Sequence, residues 1–234
     1  MSQVPIQVVV LAGGRATRLG NLARATPKVL QSVAGRPFLD LMLTPLIEQG
    51  FRRFHFCLGH LADRVLQHLA DSHASMEATT TVETCARGTA GALVNALDSL
   101  DDTFLIILGD TYAPLDYTAL VDQLPPDADA LVAVTQSIPD VMANMGLRDG
   151  RIIEYDKSNG VSNGYIDTGI AVVRRSAIER FAPAQGESDL GIVFRSLIQR
   201  GRLAGVDVAS PCFDIGTPKR LGTLEDYVRV HSSC

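Results

Sequence analysis

Residues 11–28 read LAGGRATRLGNLARATPK and follow directly on the apolar run 6–10, IQVVV. The β-branched residues Ile6, Val8, Val9 and Val10 predict a buried strand. The strand empties into a loop that opens with Gly13-Gly14, and two cations follow, Arg18 and Lys28, with Pro27 just before the lysine. Glycines let backbone N–H groups come close to a phosphate. Arginine adds a planar fork of donors and lysine a point charge. A buried strand, a glycine loop and then cations suit a nucleoside triphosphate.

Outward from this stretch, strand-like and helix-like segments alternate. Strands are expected at 6–11, 54–58, 79–83, 104–108 and 131–135. Helices are expected at 38–49, 62–70, 90–97 and 118–124. Pro45 should kink the first helix or end its first half, and Thr89 should cap the third. Val65, Leu66 and Leu69 share one side of the second helix. This βαβα order predicts an α/β fold, a Rossmann-like mostly parallel sheet with helices on both faces. Beyond Pro125-Pro126 the pattern loosens. Strands are expected at 151–155, 166–173 and 202–208, with helices at 188–200 and after Pro218. Glycines at 146, 150, 160 and 164 suggest a smaller sub-region over the mouth of the sheet. The 234 residues suit a single domain, with a nucleotide-binding half of about 1–135 and a second part of about 136–234.

Composition narrows the function. A hydrophobic content of 46% supports a substantial core, and a net charge of −5 argues against a nucleic-acid surface. No apolar run reaches the roughly 18 residues that would suggest a membrane span. The first residues, MSQVPIQ, lack the basic and apolar regions of a signal peptide. Cys57, Cys85, Cys212 and Cys234 form no CxxC pair, so free thiols in a reducing cytoplasm are expected and structural zinc is not. The histidines, His55, His60, His68, His73 and His231, show no spacing toward a nucleophile or a metal cluster. His60 lies near a strand end, from which it could approach a cleft. There is no G-x-x-x-x-G-K-[ST] loop. Nothing in the sequence fixes an oligomeric state.

Several segments carry a resemblance. LAGGRATRL followed by Pro27-Lys28 resembles the L-A-G-G-x-G-T-R-L…P-K signature of the sugar-1-phosphate nucleotidyltransferases, with Ala16 in place of the third glycine. Residues 83–92, ETCARGTAGA, resemble the family's base-and-ribose segment, with Arg87 where leucine is common. There Thr89 would start a helix whose N-terminus favours an anion. The apolar strand 104–108 ends in Gly109-Asp110, which puts a carboxylate at the C-terminal edge of a parallel sheet, where ligands bind in such folds. Residues 213–218, FDIGTP, are a further family mark, and Pro218 suits the first position of a helix. Residues 153–157, IEYDK, resemble an F-x-E-K segment, and 166–170, IDTGI, an N-x-G-I-Y segment.

The resemblance implies roles. Leu11, Ala12, Gly13, Gly14, Arg18, Lys28, Glu83, Gly88 and Thr89 would bind the nucleotide, with Arg18 and Lys28 catalytic. Asp110 and Asp214 would hold Mg²⁺. Gly146, Glu154, Lys157 and Asp167 would bind the sugar phosphate. The implied reaction is NTP plus sugar-1-phosphate giving NDP-sugar and pyrophosphate, in the cytoplasm. At 234 residues a carboxy-terminal β-helix, and with it a bifunctional acetyltransferase form, is not expected. Residues 35–40 (GRPFLD) and 54–62 (FHFCLGHLA) most resemble the D-glycero-α-D-manno-heptose-1-phosphate guanylyltransferases, which implies GTP and a heptose phosphate as partners. Alternatives are a uridylyltransferase of hexose or amino-sugar phosphates and a catalytically silent nucleotide-sugar sensor. A dinucleotide-dependent oxidoreductase is disfavoured, because no G-x-G-x-x-G follows the first strand.

Overall fold

The computed structural model describes residues 4–14, 17–19, 26–136, 138 and 141–231. Ala16 and Cys234 lie outside the described residues, so the readings placed on them are not addressed. Thirteen strands are described: β1 (Gln7–Leu11), β2 (Ser32–Val33), β3 (Arg36–Pro37), β4 (Arg53–Leu58), β5 (Glu77–Val82), β6 (Thr103–Leu108), β7 (Thr111–Tyr112), β8 (Ala130–Thr135), β9 (Met145–Arg148), β10 (Arg151–Tyr155), β11 (Ile166–Arg174), β12 (Leu203–Asp207) and β13 (Phe213–Asp214). The helices are α1 (Phe38–Glu48), α2 (Ala62–Ser72), α3 (Gly88–Ala96), α4 (Tyr117–Asp122), α5 (Arg175–Phe181), α6 (Gly191–Ile198) and α7 (Pro218–His231).

Nine strands form one sheet in the order β5-β4-β1-β6-β11-β8-β12-β10-β9. β5, β4, β1 and β6 are mutually parallel, as are β8 and β12. β11 runs against both β6 and β8, and β10 runs against both β12 and β9. All the other strands of the sheet therefore point the same way, as the βαβα order predicts.

The alternation of side chains explains the layers. Val8 and Val10 point to one face, into a core shared with Leu39, Leu43 and Leu46 of α1, Val65 and Leu69 of α2 and Leu224 of α7. Val9 points to the other face, among Leu93 of α3, Ile178 of α5 and Phe194 of α6. Burial on both faces is why β1 reads as an unbroken apolar run. No helix among the described residues is long and apolar enough to cross a membrane.

Three expectations are corrected. Pro45 does not end α1, which continues through it to Glu48. Leu39, Met42, Leu43 and Leu46 are all buried along this helix, and packing of that face outweighs the one backbone donor that proline lacks. The last-but-one helix starts at Gly191 rather than 188, because Ser188 is engaged elsewhere: its N–H donates to the Arg87 carbonyl and its own carbonyl accepts from Ala90. The glycine-punctuated region is not a separate cover over the sheet. β9 and β10 form a hairpin that extends the sheet at its far edge, where Met145, Ile152 and Tyr155 enter the core.

Candidate active site

β1 lies between β4 and β6, and the three strands end level: Leu11 is opposite Cys57 on one side and Leu108 on the other. The Ala12 N–H donates to the Cys57 carbonyl (2.8 Å) and the Gly109 N–H to the Leu11 carbonyl (2.9 Å). The chain leaving each strand therefore opens at the same C-terminal edge, where ligands bind in open α/β sheets. A cleft of about 620 Å³ lies there. Its lining includes every residue expected to bind the nucleotide, Leu11, Ala12, Gly13, Gly14, Arg18, Lys28, Glu83, Gly88 and Thr89, together with Asp110.

Glycine is required where the walls touch. A Cβ at Gly59 would lie 2.7 Å from the Gly13 carbonyl oxygen, and one at Gly13 would lie 2.9 Å from Oε1 of Glu83. At Gly88, φ is +70° and a Cβ would strike the Ser188 carbonyl. Side-chain-free backbone thus packs the 12–14, 59–60 and 83–88 segments around one space.

The charges are arranged in pairs. The Lys28 ammonium is 2.5 Å from Asp110 Oδ2. Asp214 accepts two contacts from Arg220, at 2.9 and 3.1 Å, and one from the Gly216 N–H at 2.8 Å. Gly216 lines the cleft, and a Cβ on it would lie 3.6 Å from a terminal nitrogen of Arg18. The short β7–β13 ladder brings the two acids together in the chain path. Asp214 is opposite Thr111, and the Ile215 N–H donates to the Asp110 carbonyl at 3.0 Å. Asp110, in the turn between β6 and β7, and Asp214, on β13, are hard carboxylates that suit a hard divalent cation whose remaining ligands are phosphates and water.

Glu83 stands apart from these pairs. Its carboxylate is wedged against Gly13 and Gly59, and its Oε2 is buried with no hydrogen-bond partner. Burial pushes its pKa up from the usual 4.5, against the pull of the Arg87 backbone and charge. A buried acceptor without a donor is costly, and this one sits in the wall of a ligand cleft.

The structure revises the reading of Thr89. Its hydroxyl does not cap α3 but accepts from the Leu190 N–H at 2.8 Å. The Ala90 and Gly91 N–H groups both donate to the Ser188 carbonyl, at 2.9 and 3.3 Å. Two N–H groups in the first turn of α3 are thus taken by protein, while Gly88 and Thr89 line the cleft.

The expected sugar-phosphate residues do not line this cleft. Gly146 is opposite Glu154 in the β9–β10 hairpin. Lys157 is about half exposed and pairs with Asp189 at 3.2 Å. Its pKa is raised: burial opposes the charge, but Tyr155, Asp189 and Asp167 outweigh it. Burial raises the Asp167 pKa, and its Oδ1 accepts from the Gly169 N–H. The bulged strand at Asp167 packs beside the nucleotide side of the sheet: Thr111 donates to the Thr168 carbonyl, and a Cβ at Gly169 would strike Leu108.

His60 reaches the cleft, as its place near a strand end allowed, and Gly59, Cys85 and Glu187, to which the sequence assigned no role, line it as well. Gly59 and His60 follow β4 just as Gly13 follows β1, and that parallel was the available signal. Glu187 arrives from more than a hundred residues away without one. The view that the histidines build no cluster is also overturned: His68 and His73 converge on Asp40. Cys57 and Cys212 are buried and Cys85 exposed, all three free, as expected.

Residues 7–146 match the family described as nucleotidyl transferase. A UTP–glucose-1-phosphate uridylyltransferase, AglF, from Haloferax volcanii is 27% identical, over 92% of this chain and 93% of its own. The bifunctional protein GlmU of Chromohalobacter salexigens is 30% identical over 88% of this chain and 47% of its own. The chain spans about half the length of several of the curated relatives it matches. Among solved structures, HddC from Yersinia pseudotuberculosis complexed with GMP-PN superimposes with a TM-score of 0.79 at 24% identity, covering 95% of this chain and 99% of that one. A cleft at the ends of parallel strands, lined by the glycine loop and its two cations, fits that match over most of the first 146 residues: the chain belongs to the nucleotidyl transferase family.

Proposed function

We propose that this chain is a sugar-1-phosphate nucleotidyltransferase, joining an NTP to a sugar-1-phosphate with release of pyrophosphate. The observation that carries the reading is the convergence of Arg18, Lys28, Asp110 and Glu83 on one cleft at the ends of β1, β4 and β6. A sugar-phosphate oxygen attacks the α-phosphorus in line, a new P–O bond forms, and the bond to the β-phosphate oxygen breaks. The incoming phosphate is already ionised, so no general base is required. The barrier is anion–anion repulsion and misalignment, which positioned charges lower.

In this scheme Arg18 holds the leaving β- and γ-phosphates and Lys28 the α-phosphate. Unit charges 4 Å apart interact by about 4 kcal/mol at an effective dielectric of about 20. Two or three such contacts offset much of the repulsion. The family generally works with a divalent metal. Asp110 and Asp214 would hold Mg²⁺, which when bound neutralises charge on the reacting phosphates. Lys157 meets the sugar phosphate, while Gly146, Glu154 and Asp167 face the sugar itself.

For the donor we infer GTP, and for the acceptor D-glycero-α-D-manno-heptose 1-phosphate. Guanine offers two adjacent donors, N1–H and the N2 amino group, and the Glu83 carboxylate, whose Oε2 has no partner, is an acceptor suited to them. The guanylate analogue named with HddC supports the same choice. The alternative, a uridylyltransferase of hexose phosphates, has the similarity to AglF in its favour. We further infer that residues 1–234 work as one domain in the cytoplasm. A matrix of GTP, UTP, CTP and dTTP against heptose-, mannose-, glucose- and amino-sugar-1-phosphates, read by pyrophosphate release, tests the proposal. The highest kcat/KM is expected for GTP with the heptose phosphate. Release with no pair would reject an active transferase and leave the silent sensor.

A further inference from the structure

Away from the nucleotide cleft, α1 and α2 contribute neighbouring residues to the same core on one face of the sheet. Asp40 lies in the first turn of α1, His68 in α2, and His73 just past the end of α2. Nε2 of His68 is 2.7 Å from Asp40 Oδ1, and Nε2 of His73 is 2.8 Å from the same oxygen. One ligand atom from each of the three residues lies within 4.8 Å of the others. The imidazole centroids are 5.7 Å apart, at 67° to each other. The three side chains are mostly enclosed, with 17%, 14% and 22% exposure for His68, His73 and Asp40.

This convergence is invisible to helical periodicity. Five residues of continuous helix would turn His73 roughly 140° away from His68. The helix stops at Ser72 and His73 takes φ −130°, which brings its ring back toward Asp40. The backbone there is fixed, since the His73 N–H donates to the Leu69 carbonyl and its own carbonyl accepts from the Met76 N–H. Among the described residues no lysine or arginine pairs with Asp40.

We propose that Asp40, His68 and His73 form a divalent transition-metal site of the zinc class, separate from the nucleotide cleft, which ties α1 to α2. Two imidazole nitrogens and a carboxylate oxygen are the donor set zinc takes, at about 2.0–2.2 Å from each. Imidazole also selects this class over magnesium, which prefers oxygen ligands alone. In the metal-free protein the two Nε2–H groups share one carboxylate oxygen; on metal binding each Nε2 proton passes to Nδ1 of its own ring, or to solvent from a doubly protonated ring, which frees the Nε2 lone pairs to join the carboxylate oxygen on the metal. Three protein ligands leave one position for water. None of the three residues lines the cleft, so the site stands independently of the proposed transferase chemistry.

The test uses the full chain without a histidine tag, stripped with chelator and titrated without nucleotide. Co²⁺ is followed by its visible absorption and Zn²⁺ by calorimetry and thermal unfolding. One saturable Co²⁺ per chain is expected, with the absorption of a nitrogen–oxygen site of low coordination number, and Zn²⁺ should raise the unfolding temperature. His68→Gln/His73→Gln should weaken binding at least about tenfold and remove the thermal gain, because a lost ligand leaves folding uncoupled from metal. Asp110→Asn/Asp214→Asn should bind Co²⁺ as the wild type does. If the double histidine variant does not fold, Asp40→Asn, nearly isosteric, should show the same loss. Absence of saturable binding at micromolar metal overturns the site. So does a Co²⁺ signal that survives the histidine changes or vanishes with the cleft acids.

Discussion

The Lys28 ammonium lies 2.5 Å from the Asp110 carboxylate, across 82 positions of sequence, with side-chain exposures of 14% and 27%. In the proposed chemistry one partner faces phosphate and the other a cation, so without ligand they neutralise each other. Binding of a metal triphosphate would exchange this pair for two new ones, and neither charge would ever stay buried alone. Lys28→Ala and Asp110→Asn should each lower kcat by about 10²–10³. Because the two act on each other, the double variant should lose much less than the product of the single losses. Steady-state pyrophosphate release measures all three; fully multiplicative losses would show that the contact is incidental.

Arg18 is exposed and reaches the cleft beside Gly216. Arg18→Ala should reduce kcat by about 10²-fold, as loss of one preorganised donor does. Arg18→Lys should recover only part of it, since a point charge cannot reproduce a two-pronged grip. In the reverse direction the same change should raise KM for pyrophosphate more than for the NDP-sugar. Equal effects on both would move Arg18 off the leaving group.

Asp214→Asn should keep the fold, because the amide oxygen can still accept from the Gly216 N–H, while activity becomes far less responsive to Mg²⁺. EDTA should silence the wild type, and Mg²⁺ should restore it. Full turnover in EDTA would dispose of the metal assignment.

Much of this was legible in the sequence, for a definite reason. β1, β4 and β6 are buried on both faces, so their apolar residues come in runs, broken inside β4 only by the buried His55, and their ends are easy to see. The cleft residues sit directly after those ends. What depended on distant contacts was hidden. The closure of α3 by Ser188 spans about a hundred residues, and no local pattern marks it. The β9–β10 hairpin joins the sheet where Arg151 lies opposite Ala204 and buries Ile152 and Met145, in a region whose many glycines suggested an irregular cover. His68 and His73 meet Asp40 only because α2 ends between them.

Gly59 offers a test of packing in the cleft wall. A Cβ there would be 2.7 Å from the Gly13 carbonyl oxygen and 3.1 Å from both Cγ and Oε1 of Glu83. The nearest atom is backbone and cannot rotate away. Gly59→Ala should therefore destabilise the protein by about 1–3 kcal/mol, the usual range for overpacking, and raise KM for the nucleotide by displacing the Gly13-Gly14 loop. Denaturant unfolding and initial rates measure the two effects. Unchanged KM with lowered stability would confine Gly59 to a structural role.

In the proposed function Glu83 carries the donor choice. Guanine presents two adjacent donors, which a carboxylate can accept together, whereas uracil presents one donor flanked by acceptors. A glutamine at this position keeps one acceptor and adds a donor, so Glu83→Gln should turn a GTP preference of at least about tenfold, or roughly 1.4 kcal/mol, toward UTP. The pH dependence follows from the raised pKa, whose main cause is burial. A pKa raised in the folded state means that the folded chain holds the proton more tightly than the unfolded one. Stability of the ligand-free protein should then fall as pH rises from the ordinary 4.5 through the folded value. Glu83→Gln should remove that loss and raise the unfolding temperature at neutral pH. For the same reason, kcat/KM for GTP should fall on acidification at a pH above the ordinary glutamate range, as the acceptor gains its proton, and that acid limb should be absent from the Gln variant. A variant that keeps the wild-type GTP-to-UTP ratio and the same acid limb would take Glu83 out of base recognition.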